Sequence, residues 1–187
     1  MDAIINHPRS VEVTFDDGNF SDFEFALPVL TAASIKARFF VITNRIGAAG
    51  SLSGSNIREM SRTGMVFGTH GVSHRPWPQL AADGELDDEL VSSMSVLERL
   101  TGSPIDEGAM PRGLYNRAVL TAARKNGLRR VYSVDEGSSR SGSWMCTRYS
   151  VIHSDSAESI TALLDNPNLT SSSWPLRAVK QAFKRWR

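Results

Sequence analysis

Four side chains in this sequence have the type and spacing that hold a metal ion: the adjacent pair Asp16 and Asp17, and the pair His70 and His74. Two neighbouring carboxylates repel each other and are hard to keep ionised together unless a cation lies beside them. Two imidazoles four residues apart can face one ion from a helical turn or a tight loop. Carboxylate with imidazole is a donor set that suits zinc or a similar divalent metal. Asp-Asp-Gly alone is also ordinary turn chemistry, so the conjunction of the two pairs carries the reading. Three protein ligands would leave open positions for water and a substrate oxygen, which is what separates a catalytic from a structural zinc site. From these residues alone, either aspartate could be the ligand and the other the proton acceptor.

Both pairs follow segments that read as strands. Val11, Val13 and Phe15 alternate with Glu12 and Thr14, the period of a half-buried strand, and Gly18 permits a sharp exit. Residues 64–68 form another short apolar run, closed by Gly68 just before His70. Strand ends of this kind form the mouth of an α/β barrel or doubly wound sheet. Residues 36–43 read as a strand covered on both faces, 131–135 as the next, and 148–153 as the last. Residues 86–100 have helical apolar spacing, with acids early and Arg99 late, which complements the helix dipole. Helices are also expected over 55–63, 114–127 and 156–164, and toward the end of 19–33, where Pro28 fits only a first turn. Pro76 and Pro78 read as breaks in the chain. Alternating short strands and helices argue for a parallel α/β fold.

At these residues the chain resembles the NodB-homology polysaccharide deacetylases, carbohydrate esterase family 4. Thr14-Phe15-Asp16-Asp17-Gly18 matches that family's TFDDG motif, and His70 to His74 its second, histidine-containing motif. The likeness runs over roughly residues 10–165. It implies an irregular (β/α) barrel of about seven parallel strands. It also implies a metal-dependent hydrolase that removes N-acetyl groups from a bacterial polysaccharide or oligosaccharide, with Asp17, His70 and His74 on one divalent ion, zinc by expectation, and Asp16 as base. The third motif, usually R-P-P-Y/F-G, corresponds to residues 109–116, where Pro111, Gly113 and Tyr115 take the substrate-binding positions. Ala109 replaces the arginine that normally holds the base, so Asp16 is expected to lack its usual cation and to be less firmly oriented; the alternative is that another cation has moved in, with Arg148 the best candidate. A general acid must protonate the leaving amine, and His153 is the candidate. Trp77 and Tyr115 are candidates for stacking on sugar. Two other readings are a related C–N hydrolase acting on a small amide or ureide, and a metal-free carbohydrate-binding homologue, as the missing arginine hints.

A length of 187 residues suits a single domain, and 41% hydrophobic with 22% charged residues is ordinary for a globular protein. A formal charge of +1 gives no reason to expect nucleic acid, although the segment from about 166 to the end is amphipathic and locally basic. The one cysteine, Cys146, excludes an internal disulfide. No run of about 18 apolar residues is present, so no transmembrane segment is expected. The first residues lack a basic flank and an apolar stretch, and the chain as given reads as cytoplasmic. Its expected partner is an acetylated glycan; no oligomeric state is implied.

Overall fold

The structure, a computed structural model, describes residues 11–165. The expected basic segment from about 166, with Trp174, Phe183 and Trp186, lies outside the described residues, as does His7. Six strands form one all-parallel sheet in sequential order: β1 Thr14–Asp17, β2 Arg38–Val41, β3 Val66–Thr69, β4 Glu107–Ala109, β5 Arg130–Ser133 and β6 Met145–Thr147. The helices that cross between them are α1 Leu27–Ala32, α2 Gly54–Arg62, α3 Trp77–Asp83, α4 Leu86–Thr101 and α5 Arg117–Lys125, and α6 Ala157–Asp165 follows β6. A π-helical turn, Asp22–Ala26, runs directly into α1, so Pro28, the second residue of the α-helix, follows a turn that is already helical.

Although β1 and β6 are the two edges of the sheet, side chains from β5 and from just after β6 reach the first strand and the residues before it. Arg130 forks onto Glu12 at 2.9 and 3.0 Å, and Arg148 reaches Thr14 and Asp16 on β1. The sheet is therefore curled into an open barrel of the expected irregular (β/α) kind, with six strands among the described residues beside the expected number of about seven. Among the described residues, the Arg148–Asp16 ion pair joins the segment after β6 to β1.

Strand alternation sorts the side chains into two environments. Phe15, Phe39 and Phe67 point outward beneath α1, α2 and α4; Phe15 stacks on Phe39 with ring centroids 4.9 Å apart, and Phe67 packs tilted against Phe39 at 5.8 Å. Trp77, Leu80, Leu90, Val119 and Val131 form a second core under α3, α4 and α5. Inward-facing Phe40, Ala109, Tyr132 and Cys146 form a small apolar layer. Below that layer Arg38 Nε donates to Glu107 Oε2 at 2.8 Å, and the Tyr132 hydroxyl donates to the same oxygen at 3.1 Å. Burial raises the Glu12 carboxyl, but the hydrogen bonds of Arg130 and the charges of Arg38 and Arg130 outweigh it and hold it below the usual carboxylate range.

Several elements differ from expectation for local reasons. The last strand ends at Thr147, so Arg148 follows it instead of opening it. Helix α5 starts at Arg117, because the Asn116 side chain accepts the Val119 N–H at 3.0 Å and leaves Leu114 to Asn116 outside the helix. Helix α3 forms where two prolines read as breaks; Pro76 caps it and Pro78 sits in its first turn. Strand β4 is three residues containing a glycine, too short for any periodic signal.

Candidate active site

Asp16 and Asp17 end β1, and alternation sends their side chains to different sides. Asp17 has φ 75° and Gly18 φ 75°, a left-handed pair that turns the chain out of the strand. Asn19 and Asp22 then lock the exit: Asn19 N–H donates to Asp22 Oδ2 at 3.1 Å and Asp22 N–H to the Asn19 carbonyl at 3.0 Å. Burial pushes the Asp22 carboxyl up to about 6, and the charges of Asp17 and Asp16 add to this, against the lowering by the Asn19 N–H.

His70 follows β3 and is buried. Its Nδ1 lies 2.8 Å from the Ala109 carbonyl oxygen. A carbonyl can only accept, so Nδ1 carries the proton and Nε2 presents its lone pair. Burial, opposed by Asp16, the Ala109 bond and Asp17, lowers the His70 pKa and favours the neutral ring that a metal needs. That Nε2 lies 3.5 Å from Asp17 Oδ1, and His74 Nε2 lies 3.6 Å from the same oxygen. His74 itself has φ 61°.

All three donor atoms lie within 4.8 Å of one another. Tetrahedral ligands about 2.1 Å from a common ion lie about 3.4 Å apart, so the cluster fits a divalent metal. Arg45 Nη1 approaches the other oxygen, Asp17 Oδ2, at 3.8 Å from the solvent side and leaves Oδ1 to the imidazoles.

Asp16 does not lack a cation. Arg148 grips it bidentately, Nη1 to Oδ1 at 2.7 Å and Nη2 to Oδ2 at 2.8 Å, while Nη1 also donates to Thr14 Oγ1 at 2.9 Å. The guanidinium lies 5.4 Å from the Phe40 ring and 5.7 Å from the Tyr132 ring, on top of the apolar layer. Ala109, fully buried at the end of β4, contributes its carbonyl to His70 instead. An arginine from the far edge of the sheet thus occupies the position beside Asp16 that the third motif leaves empty.

Other sequence candidates are placed differently. Trp77 is fully buried in the core of α3, α4 and α5, so it offers no face to a sugar. Tyr115 is also buried, and its hydroxyl donates to Asp135 Oδ2 at 2.7 Å; its ring is not an open stacking platform. Pro111 and Gly113 are buried in the single helical turn after β4, at the same end of the sheet as His70. His153 lies exposed in the turn between β6 and α6 and makes no hydrogen bond to the aspartates or histidines of the site. What the sequence reading missed is Glu89, on α4, which binds the loop carrying His74. An acid in the first turn of a helix has no pattern that distinguishes this role from dipole compensation.

The Polysaccharide deacetylase family profile matches residues 4–131, more than half of the chain. The chain belongs to that family. Poly-beta-1,6-N-acetyl-D-glucosamine N-deacetylase of Staphylococcus aureus is 28% identical over 141 residues, which covers 68% of this chain and 49% of that protein. The chain spans about half the length of the curated relatives it matches. Among solved structures, the Streptococcus pyogenes deacetylase PplD in complex with acetate superposes with a TM-score of 0.76 at 26% identity, covering 87% of this chain and 75% of that one. IcaB from Ammonifex degensii superposes with a TM-score of 0.72 at 26% identity, covering 82% and 72%. The polysaccharide deacetylase fold accounts for the open barrel and for the site at its C-terminal mouth.

Proposed function

We propose that this chain is a zinc-dependent deacetylase that hydrolyses N-acetyl groups on an amino-sugar polysaccharide or oligosaccharide of bacterial origin. The observation that carries this reading is the convergence of Asp17, His70 and His74 on an ion-sized space, next to an aspartate held by a bidentate arginine. Relatives named for N-deacetylation of poly-beta-1,6-N-acetyl-D-glucosamine support the substrate class.

Asp17, His70 and His74 would hold the metal. A divalent ion there supplies Lewis-acid polarisation of the acetamide carbonyl and makes water more acidic. Asp16 takes the proton of the attacking water, and Arg148 keeps both carboxylate oxygens oriented as it does so. Water adds to the carbonyl carbon, the C–N bond breaks, and the products are acetate and a free amine. That amine must be protonated as it leaves. Asp16, already carrying the water's proton, serves this step in the proposed scheme.

The test is incubation of the zinc-loaded protein with N-acetylglucosamine oligomers, quantifying acetate and free amine. Equal amounts of both are expected, with none from chelator-treated protein. Tight binding of oligomers without release would establish a carbohydrate-binding homologue, and hydrolysis of a small ureide without acetate release would establish the other C–N hydrolase. Either result would overturn the proposal.

A further inference from the structure

The loop from His70 to Arg75 is arranged around one carboxylate that belongs to no site motif. Val72 N–H, Ser73 N–H and the Ser73 hydroxyl all donate to Glu89 Oε1, at 2.9, 2.8 and 2.8 Å. Gly71 N–H donates to Thr69 Oγ1 at 2.9 Å, and Thr69 in turn bonds the Ser93 hydroxyl, one helical turn beyond Glu89 on α4. The loop thus turns its donors toward α4, while its carbonyls at Gly71 and Val72 accept from Thr43 and Asn44 on the opposite side. Gly71 has φ 82°, and a β-carbon there would lie 2.7 Å from Glu89 Oε1, so only glycine lets the carboxylate come this close. At the far end, Arg75 is tied to Asp83 and Glu85.

His74 lies between these anchors in the left-handed region, a conformation costly for a residue with a side chain unless the surroundings impose it. His70 is held separately, by its own strand and the Ala109 carbonyl. The two metal-binding histidines therefore depend on different supports.

We propose that Glu89 is a positioning residue for the metal centre: its Oε1 gathers the Val72 and Ser73 donors and so sets the backbone that aims His74 at Asp17. This rests on the reading of Asp17, His70 and His74 as metal ligands. Because every bond goes to a single oxygen, a glutamine amide oxygen can accept the same three donors, whereas alanine accepts none. Outer partners of metal ligands typically contribute about 10–100-fold to metal affinity.

The experiment is titration of the metal-free protein with zinc by calorimetry, and with cobalt by visible absorption, for wild type, Glu89→Ala, Glu89→Gln and Ser73→Ala. Thermal melting of the metal-free proteins shows that each variant is folded. Glu89→Ala is expected to bind zinc about 10–100-fold more weakly, with altered cobalt bands as His74 leaves the coordination sphere. Glu89→Gln is expected within about threefold of wild type, and Ser73→Ala between the two. Folded Glu89→Ala with wild-type zinc affinity and cobalt spectrum would overturn the proposal, as would Glu89→Gln as weak as Glu89→Ala. A wild-type protein with no zinc affinity overturns the underlying metal-site reading and this inference with it.

Discussion

Replacing Arg148 by methionine keeps most of the side-chain volume over Phe40 and Tyr132 but removes both bonds to Asp16. Hydrogen bonds to charged groups are worth about 1.5–3 kcal/mol each. The Asp16 side chain is 32% exposed and that of Arg148 12%, so water replaces part of what is lost and the net cost should be about 1–3 kcal/mol. For a chain of this size each kcal/mol corresponds to roughly 2–4 °C, so the melting temperature of Arg148→Met should fall by about 4–8 °C for a loss near 2 kcal/mol. Catalysis should suffer more. A misplacement of about 1 Å in a reacting group can cost about 10²-fold, and Asp16 without its fork is free to rotate. The expected result is kcat down by about 10²-fold, with KM for an N-acetylglucosamine oligomer and zinc content close to wild type. Arg148→Lys keeps the charge but not the paired geometry and should lie between the two. Initial rates of acetate release with metal analysis on the same samples provide the assay. A kcat within twofold of wild type for Arg148→Met would refute the argument that Arg148 stands in for the arginine missing at Ala109.

Asp16→Asn should retain one zinc while losing about 10²–10⁴ in kcat, whereas His74→Ala should lose both zinc and turnover, as read by metal analysis and acetate release. If His153 rather than Asp16 protonates the amine, His153→Ala loses a similar factor; the scheme given above expects it to keep kcat within about threefold. Because the Asp22 carboxyl is raised from 3.8 to about 6 in the fold, its contribution to stability is fully present below pH 3.8 and lost as pH rises through about 6. Asp22→Asn keeps an oxygen for the Asn19 N–H and should stabilise the metal-free protein above pH 6, by up to about 3 kcal/mol, with no gain at pH 4 in urea unfolding. Trp77→Ala should cost about 3–5 kcal/mol in the same assay, as a core residue does; a changed KM with unchanged stability would return Trp77 to the sugar site.

The convergence of Asp17, His70 and His74 was legible because Asp17 ends one strand and His70 directly follows another. Asp17 follows a period-2 run and His70 an apolar run, so two local patterns place both at one mouth. Burial was less legible than position: Trp77 and Tyr115 looked like sugar platforms, but both fill space between elements that only the fold brings together. Strand β4 escaped because it is three residues with a glycine and pairs by register, not by pattern. Arg148 was legible as a residue type near a strand, but its partner is 132 positions away and is reached only because the sheet curls. Glu89 was illegible for the same reason: its role lies in where α4 packs against the loop after β3.

The central claim, that three ligands hold one catalytic zinc, is tested most directly by the dependence of rate on bound metal. Metal-free wild-type protein would be titrated with zinc and the rate of acetate release from an N-acetylglucosamine oligomer measured at each addition, with Asp17→Asn as the comparison. Activity should rise linearly from near zero to a plateau at one zinc per chain, and Asp17→Asn should show no such rise. Full activity in the metal-free protein, or a bound zinc that brings no acetate release, would contradict it.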